Sequence, residues 1–549
     1  MLDSIDLSNI QDENARQLII RLLNLIEDLS ADLRDARAEI QRLRDENNQL
    51  KGEQGKPNIK ANKPKPPPVD HSSEQERRKP RQRQRRSKKA EMPIHREETV
   101  EMDKSILPAD AEFKGYADVV VQDIVFRADN VRFRREKYWS PSLNKTYTAT
   151  LPRGYEGQYG PGVRALAMTL YFGCGMSEPK ILELYENIGV AMSAGQLSNL
   201  LIKEQDDFHA EKEAVYEAGL RSSPWQHTDT TSTRVDGVNQ NCHIVCNPLY
   251  TIYSTTLRKD RLSVLDVLRA GAPRMFRLND EAMGYLFGVP LSKAIREVLE
   301  SWRSNQDLDE QTFVNRLDMQ WPNLSTQRRQ AILGAAAVAA YHTQEDLPIV
   351  RLLVCDDAPQ YNWLTEEMSL CWVHEGRHYK KLSPVVAYHR EVLIGFLKQF
   401  WDFYDQLLVY RQHPSPEEGE RLEAEFDRLF ATSSGYDALD ARIAKTRDKK
   451  AVLLMVLKHP EIPLHNNPAE LEARRRVRKR DVSFGPRTQD GLKAWDTFMS
   501  LVATTRKLGI SFFQYIHDRI SRANEIPPLS SLIEARAVEL DLGASWSAA

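Results

Sequence analysis

Strand-like and helical stretches alternate along this sequence, which predicts a mixed α/β fold. Short apolar runs separated by turn signals occupy 225–258, and Ile349–Cys355 is continuously apolar, like a strand buried on both faces. Helical periodicity dominates 262–344 and returns after 390. The length of 549 residues corresponds to three or four domains at about 150 residues each.

The composition excludes several classes of protein. Five cysteines without a CxxC pair are too few for a disulfide framework and favour reduced thiols. The longest apolar stretch, 331–341, is about half of a membrane span. The N-terminus lacks the basic start and apolar run of a signal peptide. We therefore expect a cytoplasmic, nucleoid-associated protein with no membrane partner.

A heptad repeat over 15–50 is the first element along the chain. Its pattern predicts a parallel two-stranded coiled coil, so residues 1–52 are interpreted as a dimerisation helix of a homodimer. An amphipathic helix packed on its own domain is the alternative. The a positions are Ile19, Ile26, Leu33, Ile40 and Asn47, and the d positions are Leu22, Leu29, Ala36, Leu43 and Leu50.

Residues 53–105 are predicted to form a disordered basic linker. Within it, Arg77–Lys89 holds nine basic residues of thirteen and no acid. Such a segment buries too little apolar surface to fold, and its charge suits nucleic-acid phosphates. A solubilising spacer is the alternative. The predicted DNA contacts are Arg77, Arg78, Lys79, Arg81, Arg83, Arg85, Arg86, Lys88 and Lys89.

Residues 106–220 are predicted to form a small β region followed by two helices. Alternating apolar residues predict strands at 119–126, 131–133 and 147–151. Basic residues lie among the aromatics here, which fits either a DNA-contacting surface or the solvent face of a small sheet.

The two helices are a helix-turn-helix candidate. Ser177 precedes a helix that runs to Asn187, Gly189 breaks the pattern, and Ser193 precedes the next helix. The candidate DNA contacts on the second helix are Gln196 and Asn199.

Three acids are the candidate catalytic and metal-binding residues of a domain spanning 221–520. Asp229 lies within the first strand, Asp356 follows the buried strand, and Glu470 lies on a later helix. This order matches the ribonuclease-H-like arrangement, in which carboxylates hold two Mg²⁺ ions for phosphoryl transfer. Asp357 is the alternative second ligand. Helical insertions are predicted at about 261–345 and 390–460, and a C-terminal tail at 521–549.

The start of the third helix allows a structural interpretation of Glu470. We predict Asn467 as the helix cap and Pro468 as its first residue. Glu470 would then occupy the third helical position, where a carboxylate can close a capping box instead of binding metal.

Several sequence segments around these acids resemble the transposases of the insertion-sequence-66 family, and the resemblance covers about 119–519, roughly three quarters of the chain. The resemblance implies a DDE transposase with Asp229, Asp356 and Glu470 on the family's acidic positions. Many members carry a cysteine zinc-binding motif before the core, which residues 101–160 lack. The matching segments are QHTDTTSTRVDG, LLVCDDAPQYNWL, CWVHEGRHYKKL and HNNPAELEARRRVRKRDVSFGPRTQDG.

The resemblance implies Mg²⁺-dependent cleavage at insertion-element ends and strand transfer into target DNA, with two Mg²⁺ ions expected and Mn²⁺ as a substitute. Small accessory proteins are further possible partners. The alternative is a dimeric DNA-binding regulator with a catalytically inactive ribonuclease-H-like core. Basic or polar residues near the acids are candidate DNA contacts, namely His374, Arg377, Lys380, Arg474, Arg475 and Arg478.

Deleting Arg77–Lys89 is expected to weaken DNA binding without changing sequence preference. Phosphate contacts release counterions, so the slope of log K against log salt should become shallower by several units. A salt titration with matched and scrambled duplexes measures both properties. Unchanged affinity and slope would identify the segment as a spacer.

Overall fold

The computed structural model describes residues 10–51, 93–108, 111–345 and 347–547. These residues form a mixed α/β protein, mostly helical, around a five-stranded sheet, which confirms the predicted α/β class. The strands are β1 Lys137–Ser140, β2 Lys145–Thr148, β3 Trp225–Val235, β4 Val238–Cys246, β5 Thr251–Thr256, β6 Met275–Phe276, β7 Leu308–Asp309, β8 Leu352–Cys355 and β9 Glu367–Leu370.

Helices surround this sheet and fill the long connections between its strands. They are α1 Glu13–Leu50, α2 Pro161–Met168, α3 Glu178–Asn187, α4 Ala194–Ile202, α5 Asp206–Arg221, α6 Arg261–Leu268, α7 Asp280–Phe287, α8 Lys293–Ser301, α9 Glu310–Gln320, α10 Thr326–Tyr341, α11 Trp372–Lys380, α12 Ala387–Tyr410, α13 Pro416–Phe430, α14 Asp437–Arg447, α15 Lys450–Leu453, α16 Met455–Lys458, α17 Asn467–Ser483, α18 Gln489–Leu508, α19 Phe512–Ser521, α20 Leu529–Leu540 and α21 Ala544–Ser547.

The central sheet has the order β5-β4-β3-β8-β9. Strands β3, β4 and β5 form an antiparallel meander, while β8 and β9 run parallel to β3. Asp236 and Gly237 make the β3–β4 turn, both with positive φ, as a two-residue hairpin requires. The strands predicted within 225–258 are confirmed, and the predicted strand 349–355 is ordered as β8 from Leu352.

Helix α18 covers the outer edge of the sheet. The backbone N–H of Tyr253 donates to Ser500 Oγ at 2.9 Å, and that of Thr255 donates to Asp496 Oδ2 at 2.8 Å. Ser500 and Asp496 lie one helical turn apart, so they match alternate residues of β5. Side chains of α18 thus satisfy edge-strand donors that would otherwise be buried without partners.

The region before the helices contains less sheet than its sequence pattern predicts. Among the described residues of 111–134 no strand forms, so the strands predicted at 119–126 and 131–133 are wrong. Alternation specifies which face of a strand is apolar, but a strand also needs a neighbour, and here the apolar side chains stay exposed. Only the β1–β2 hairpin forms, and β2 overlaps the start of the predicted strand 147–151.

The two helices of the helix-turn-helix candidate form as α3 and α4, with Gly189 at positive φ between them. Ser193 and Gln196 close a capping box at the start of α4. The Gln196 amide also donates to Gln158 at 2.7 Å and accepts from Tyr159 at 3.0 Å. The amide nitrogen and the amide oxygen of Gln196, a predicted DNA contact, are therefore both bonded within the chain. Asn199, the other predicted contact on this helix, is exposed.

Helix α1 lies against the helical region around α12 through a polar contact. The buried Glu27 carboxylate accepts the N–H groups of Val385 and Val386 at 2.8 and 2.6 Å. Asn24 donates to the Gly435 carbonyl at 3.0 Å. Ile19 and Ile26, assigned to a positions, pack partly around Val386 in the same contact.

The opposite side of α1 carries a ridge of exposed leucines. Leu22 and Leu29, both d positions, are 50% and 59% exposed. The predicted helix is thus observed, whereas the pairing of two copies stays a prediction. The basic run Arg77–Lys89 lies outside the described residues. No helix among the described residues is long and apolar enough to cross a membrane.

Candidate active site

Two of the predicted acids lie side by side on the central sheet. His227 of β3 pairs with Val354 of β8 in parallel register. Two residues further on, this register places Asp229 opposite Asp356, where β8 ends. Side chains at i and i+2 share one face of a sheet, so the two carboxylates lie at the same place at the carboxyl end of β8.

The third acid comes from helix α17, which packs along β3. The helix begins at Asn467, and Asn466 is the cap residue, so the predicted cap is wrong by one position. The Asn466 N–H donates to Cys371 Sγ at 3.3 Å. Glu470 therefore does not close a capping box, and its carboxylate lies free of that role.

The Asn466 side chain holds the start of α17 against β3. Its amide donates to the Thr228 carbonyl at 2.7 Å, and its oxygen lies 3.0 Å from His227 Nδ1. Burial lowers the pKa of His227 to about 3, so the ring is neutral. At the other end of α17, Arg480 donates to the Ser232 carbonyl at 2.6 Å. The distance between the Asp229 strand and the Glu470 helix is thus fixed at two points.

Asp229 is also fixed from its own strand. The Thr230 N–H donates to Asp229 Oδ1 at 2.8 Å, and the Thr230 hydroxyl lies 3.0 Å from the Tyr361 hydroxyl. Tyr361 is buried behind Asp356. These contacts restrain the side-chain and backbone positions on which metal geometry depends.

Burial, with a smaller contribution from neighbouring acids, raises the pKa values of Asp229 and Asp356. Burial, together with the charges of Asp356 and Glu470, raises the pKa of Asp229 to about 7, although the Thr230 N–H acts in the opposite direction. Burial also raises the pKa of Asp356, and Glu470 adds to that effect. Three acids concentrated in this way favour a bound cation, which neutralises their charge.

Two oxygens of these three acids are buried without a hydrogen bond to any residue that the structure describes. Asp356 Oδ1 and Glu470 Oε1 are buried and have no hydrogen-bond partner among the described residues. Buried oxygens of this kind are costly unless a donor or a cation satisfies them. The carboxylate donor set is the one that Mg²⁺ and Mn²⁺ prefer. The donor chemistry of Asp229, Asp356 and Glu470 therefore suits a divalent cation.

Two further acids near the site, Asp357 and Glu472, have partners of their own. Asp357 pairs with Lys449 at 2.5 Å, and Lys449 also contacts the buried Glu375. Glu472 is buried and accepts the Tyr253 hydroxyl at 2.7 Å. Glu472 is thus engaged within the fold, whereas Asp357 pairs with Lys449 and its charge also raises the pKa of Asp356. The choice of Asp356 over Asp357 as the second ligand stays a prediction.

The predicted DNA contacts divide into three groups. His374 and Arg377 lie on Glu470 itself, at 3.4 and 3.3 Å. Arg475 is paired with Glu472. The other three are exposed. Lys380 lies on α11, and Arg474 and Arg478 lie one turn apart on α17.

The sequence interpretation missed the residues that align the three acids. Three residues contact the strand or helix that carries an acid, namely Asn466, His227 and Tyr361. None of them is itself a carboxylate, so a search for metal ligands in the sequence does not find them. The sequence does contain one signal for this role, the adjacent asparagines at 466 and 467. A helix needs only one of them at its cap position, so the side-chain amide of the other can bind elsewhere.

Fold and site together define a mixed α/β protein with a carboxylate cluster at the end of its central strands. Residues 335–494 match the family described as Transposase IS66 family. An uncharacterized protein y4jO of Sinorhizobium fredii is 31% identical over 321 residues, covering 58% of this chain and 99% of that protein. The chain belongs to the IS66 family of transposases.

The raised pKa of Asp229 predicts a pH-dependent penalty in metal-free protein. Because its folded pKa exceeds the ordinary value, the folded state loses stability as pH rises from about 4 to about 7. Asp229→Asn keeps the Thr230 hydrogen bond and removes the charge. In EDTA near pH 8 it should raise the free energy of unfolding by on the order of 1 to 4 kcal/mol.

Urea unfolding of both proteins in EDTA, near pH 4 and near pH 8, measures this difference. The gain should fall below about 1 kcal/mol near pH 4, where Asp229 is protonated in the folded state and about half protonated in the unfolded state. A gain of equal size at both pH values would contradict the assigned cause.

Proposed function

We propose that this protein is a Mg²⁺-dependent DNA transposase that cleaves insertion-element ends and transfers them into target DNA. The convergence of Asp229, Asp356 and Glu470, drawn from two adjacent strands and one helix, is the observation that carries the proposal. Family membership supports the same activity class.

The catalytic domain is proposed to be ribonuclease-H-like. An antiparallel three-stranded meander followed by two parallel strands supports this assignment, with the first acid on the central strand β3. The second acid follows the neighbouring β8, and a helix packed on β3 supplies the third. The stretches between β5 and β8 and between β9 and α17 are then helical insertions into this core.

The three acids would bind two Mg²⁺ ions, which when bound activate an attacking oxygen and stabilise a leaving one. Asp229 and Asp356 supply fixed oxygens from the sheet. Glu470 supplies an oxygen from a helix whose position Asn466 determines. The side chain of Glu470 is 14% exposed, so the cluster is accessible from one side, where a phosphate can approach.

The DNA would approach along the exposed face of α17. Glu470, Arg474 and Arg478 are spaced four residues apart and lie on one face of that helix. Two arginines in line with the acids can hold successive phosphates and direct the backbone towards the carboxylates.

Glu470→Gln is expected to lower Mg²⁺-dependent cleavage of element-end DNA by more than about a hundred-fold. Glutamine preserves the size of the side chain, but it lacks the charge that binds a cation. Cleavage and strand-transfer assays, with unfolding and DNA-binding measurements alongside, test this. Those two properties should stay near wild type.

Asp481→Asn is the matched control, because it removes an exposed acid from the same helix. It should cleave at the wild-type rate. A fully active Glu470→Gln protein would exclude Glu470 as a metal ligand. Absence of cleavage by the wild-type protein would favour a DNA-binding regulator.

We further propose that the active form is a homodimer paired through α1. This helix lies against its own chain through Asn24, Glu27 and the apolar residues around Leu23, and it leaves its leucine ridge outward. An exposed leucine ridge of this length is costly in water unless an apolar surface covers it. A second copy supplies the identical ridge, as a two-stranded coil requires.

Leu22→Ser combined with Leu29→Ser is expected to weaken dimerisation at least about a hundred-fold, because each truncation removes apolar contact from both copies. Sedimentation at tens of micromolar measures it. Arg21→Ser combined with Asp28→Ser, exposed on the same turns but outside the ridge, should leave the dimer unchanged. A monomeric wild type would contradict the proposal.

A further inference from the structure

Three different metal-binding side chains meet beside the carboxylate cluster. One potential ligand atom from each of Cys371, His374 and Glu470 lies within 4.8 Å of the other two. Cys371 and His374 are three residues apart at the start of α11, and Glu470 comes from α17. The sequence presents only half of such a site, and the fold completes it with a carboxylate about a hundred residues away.

The orientation of these groups leaves the inner atoms open. Arg377 lies on the outer side, 3.1 Å from His374 Nε2 and 3.3 Å from Glu470 Oε2. His374 Nδ1 and Glu470 Oε1 face each other at 3.4 Å. Both atoms are buried and lack a hydrogen-bond partner among the described residues. A thiol, an imidazole nitrogen and a carboxylate oxygen thus surround one small space.

We propose that Cys371, His374 and Glu470 form a zinc site that regulates the proposed transposase by capturing Glu470. The regulatory part of this inference rests on the proposed function, whereas the metal site itself stands on the three donors alone. The expected ligand is Zn²⁺, with Co²⁺ as its spectroscopic substitute.

The donor set distinguishes this site from the neighbouring acids. Mg²⁺ takes oxygen ligands, whereas sulfur and imidazole nitrogen are typical ligands of Zn²⁺. The Nδ1–Oε1 distance is already that between two ligands on a tetrahedral zinc, about 3.5 Å. The Cys371 sulfur lies within 4.8 Å of both other ligand atoms, and it accepts the Asn466 N–H at 3.3 Å, a hydrogen bond that a zinc-bound thiolate can also accept. The site would hold three protein ligands and leave a fourth position open to water.

Binding changes the protonation of two ligands. Cys371 is 1% exposed and its thiol would release a proton to solvent as the sulfur–zinc bond forms. The imidazole would bind through Nδ1 and carry its proton on Nε2. Arg377 could then no longer donate to Nε2 and would remain on Glu470 Oε2. The His374 side chain, 28% exposed, provides the entry path.

Glu470 belongs to both the zinc site and the proposed Mg²⁺ site, so zinc binding affects catalysis. A carboxylate drawn towards Cys371 and His374 is no longer available to the cation held by Asp229 and Asp356. Zinc should therefore inhibit Mg²⁺-dependent cleavage, and added Mg²⁺ should relieve that inhibition. Cellular zinc would thereby keep the enzyme inactive until the ion is removed.

Titration of the full-length, metal-free protein with Co²⁺ tests the site without relying on activity. Thiolate-to-cobalt charge-transfer absorption should appear at one equivalent and disappear on adding Zn²⁺. The Cys371→Ser protein should lack this absorption. The Cys174→Ser protein, which loses an exposed cysteine elsewhere, should retain it. Asp229→Asn should also retain it, because that acid belongs only to the proposed Mg²⁺ site.

His374→Gln provides a test that does not depend on a buried position. Its Zn²⁺ affinity, measured by calorimetry, should fall at least ten-fold. Absence of the charge-transfer absorption in wild type, its persistence in Cys371→Ser, its loss in Asp229→Asn, or an unchanged affinity of His374→Gln would each overturn the zinc site. Failure of Mg²⁺-dependent cleavage would overturn the proposed function and leave these results untouched.

Discussion

The hydrogen bonds of one residue, Asn466, connect the two elements that carry Asp229 and Glu470. Its amide binds His227 and the Thr228 carbonyl on β3, and its N–H binds Cys371 at the start of α11. All of these groups are buried, where an unsatisfied polar atom costs about 1–3 kcal/mol. Strand β3, the start of α11 and the start of α17 therefore have one satisfied arrangement, which sets the Asp229 strand against the Glu470 helix. The parallel pairing of β3 with β8 brings Asp356 to the same end of the sheet.

This arrangement crowds negative charge and balances it only in part. Arg377 and His374 contact Glu470 from one side. Among the residues that the structure describes, neither Asp229 nor Asp356 forms a salt bridge. Burial is the main cause of the raised pKa of Asp229, and the charges of Asp356 and Glu470 add to it. A divalent cation bound by these carboxylates, as proposed, would lower this energy.

Local signals in the sequence predicted much of this fold. Hydrophobic patterning located β3, β4, β5 and β8, and Ser177 and Ser193 located the starts of α3 and α4. Patterning failed at 119–133, because pairing depends on a neighbouring strand. It also misplaced the α17 cap, because contacts to β3 and Cys371, far away in sequence, decide between Asn466 and Asn467. The Cys371–His374–Glu470 cluster likewise could not be predicted, because the fold brings Glu470 to two residues that are far from it in sequence.

The central claim is that Asp229, Asp356 and Glu470 share divalent cations. Anomalous diffraction from crystals grown with Mn²⁺ and element-end DNA tests it most directly. The account predicts two manganese peaks, roughly 3.5–4 Å apart, bound by oxygens of these three residues. Absence of manganese there, with Glu470 still paired to Arg377, would contradict it.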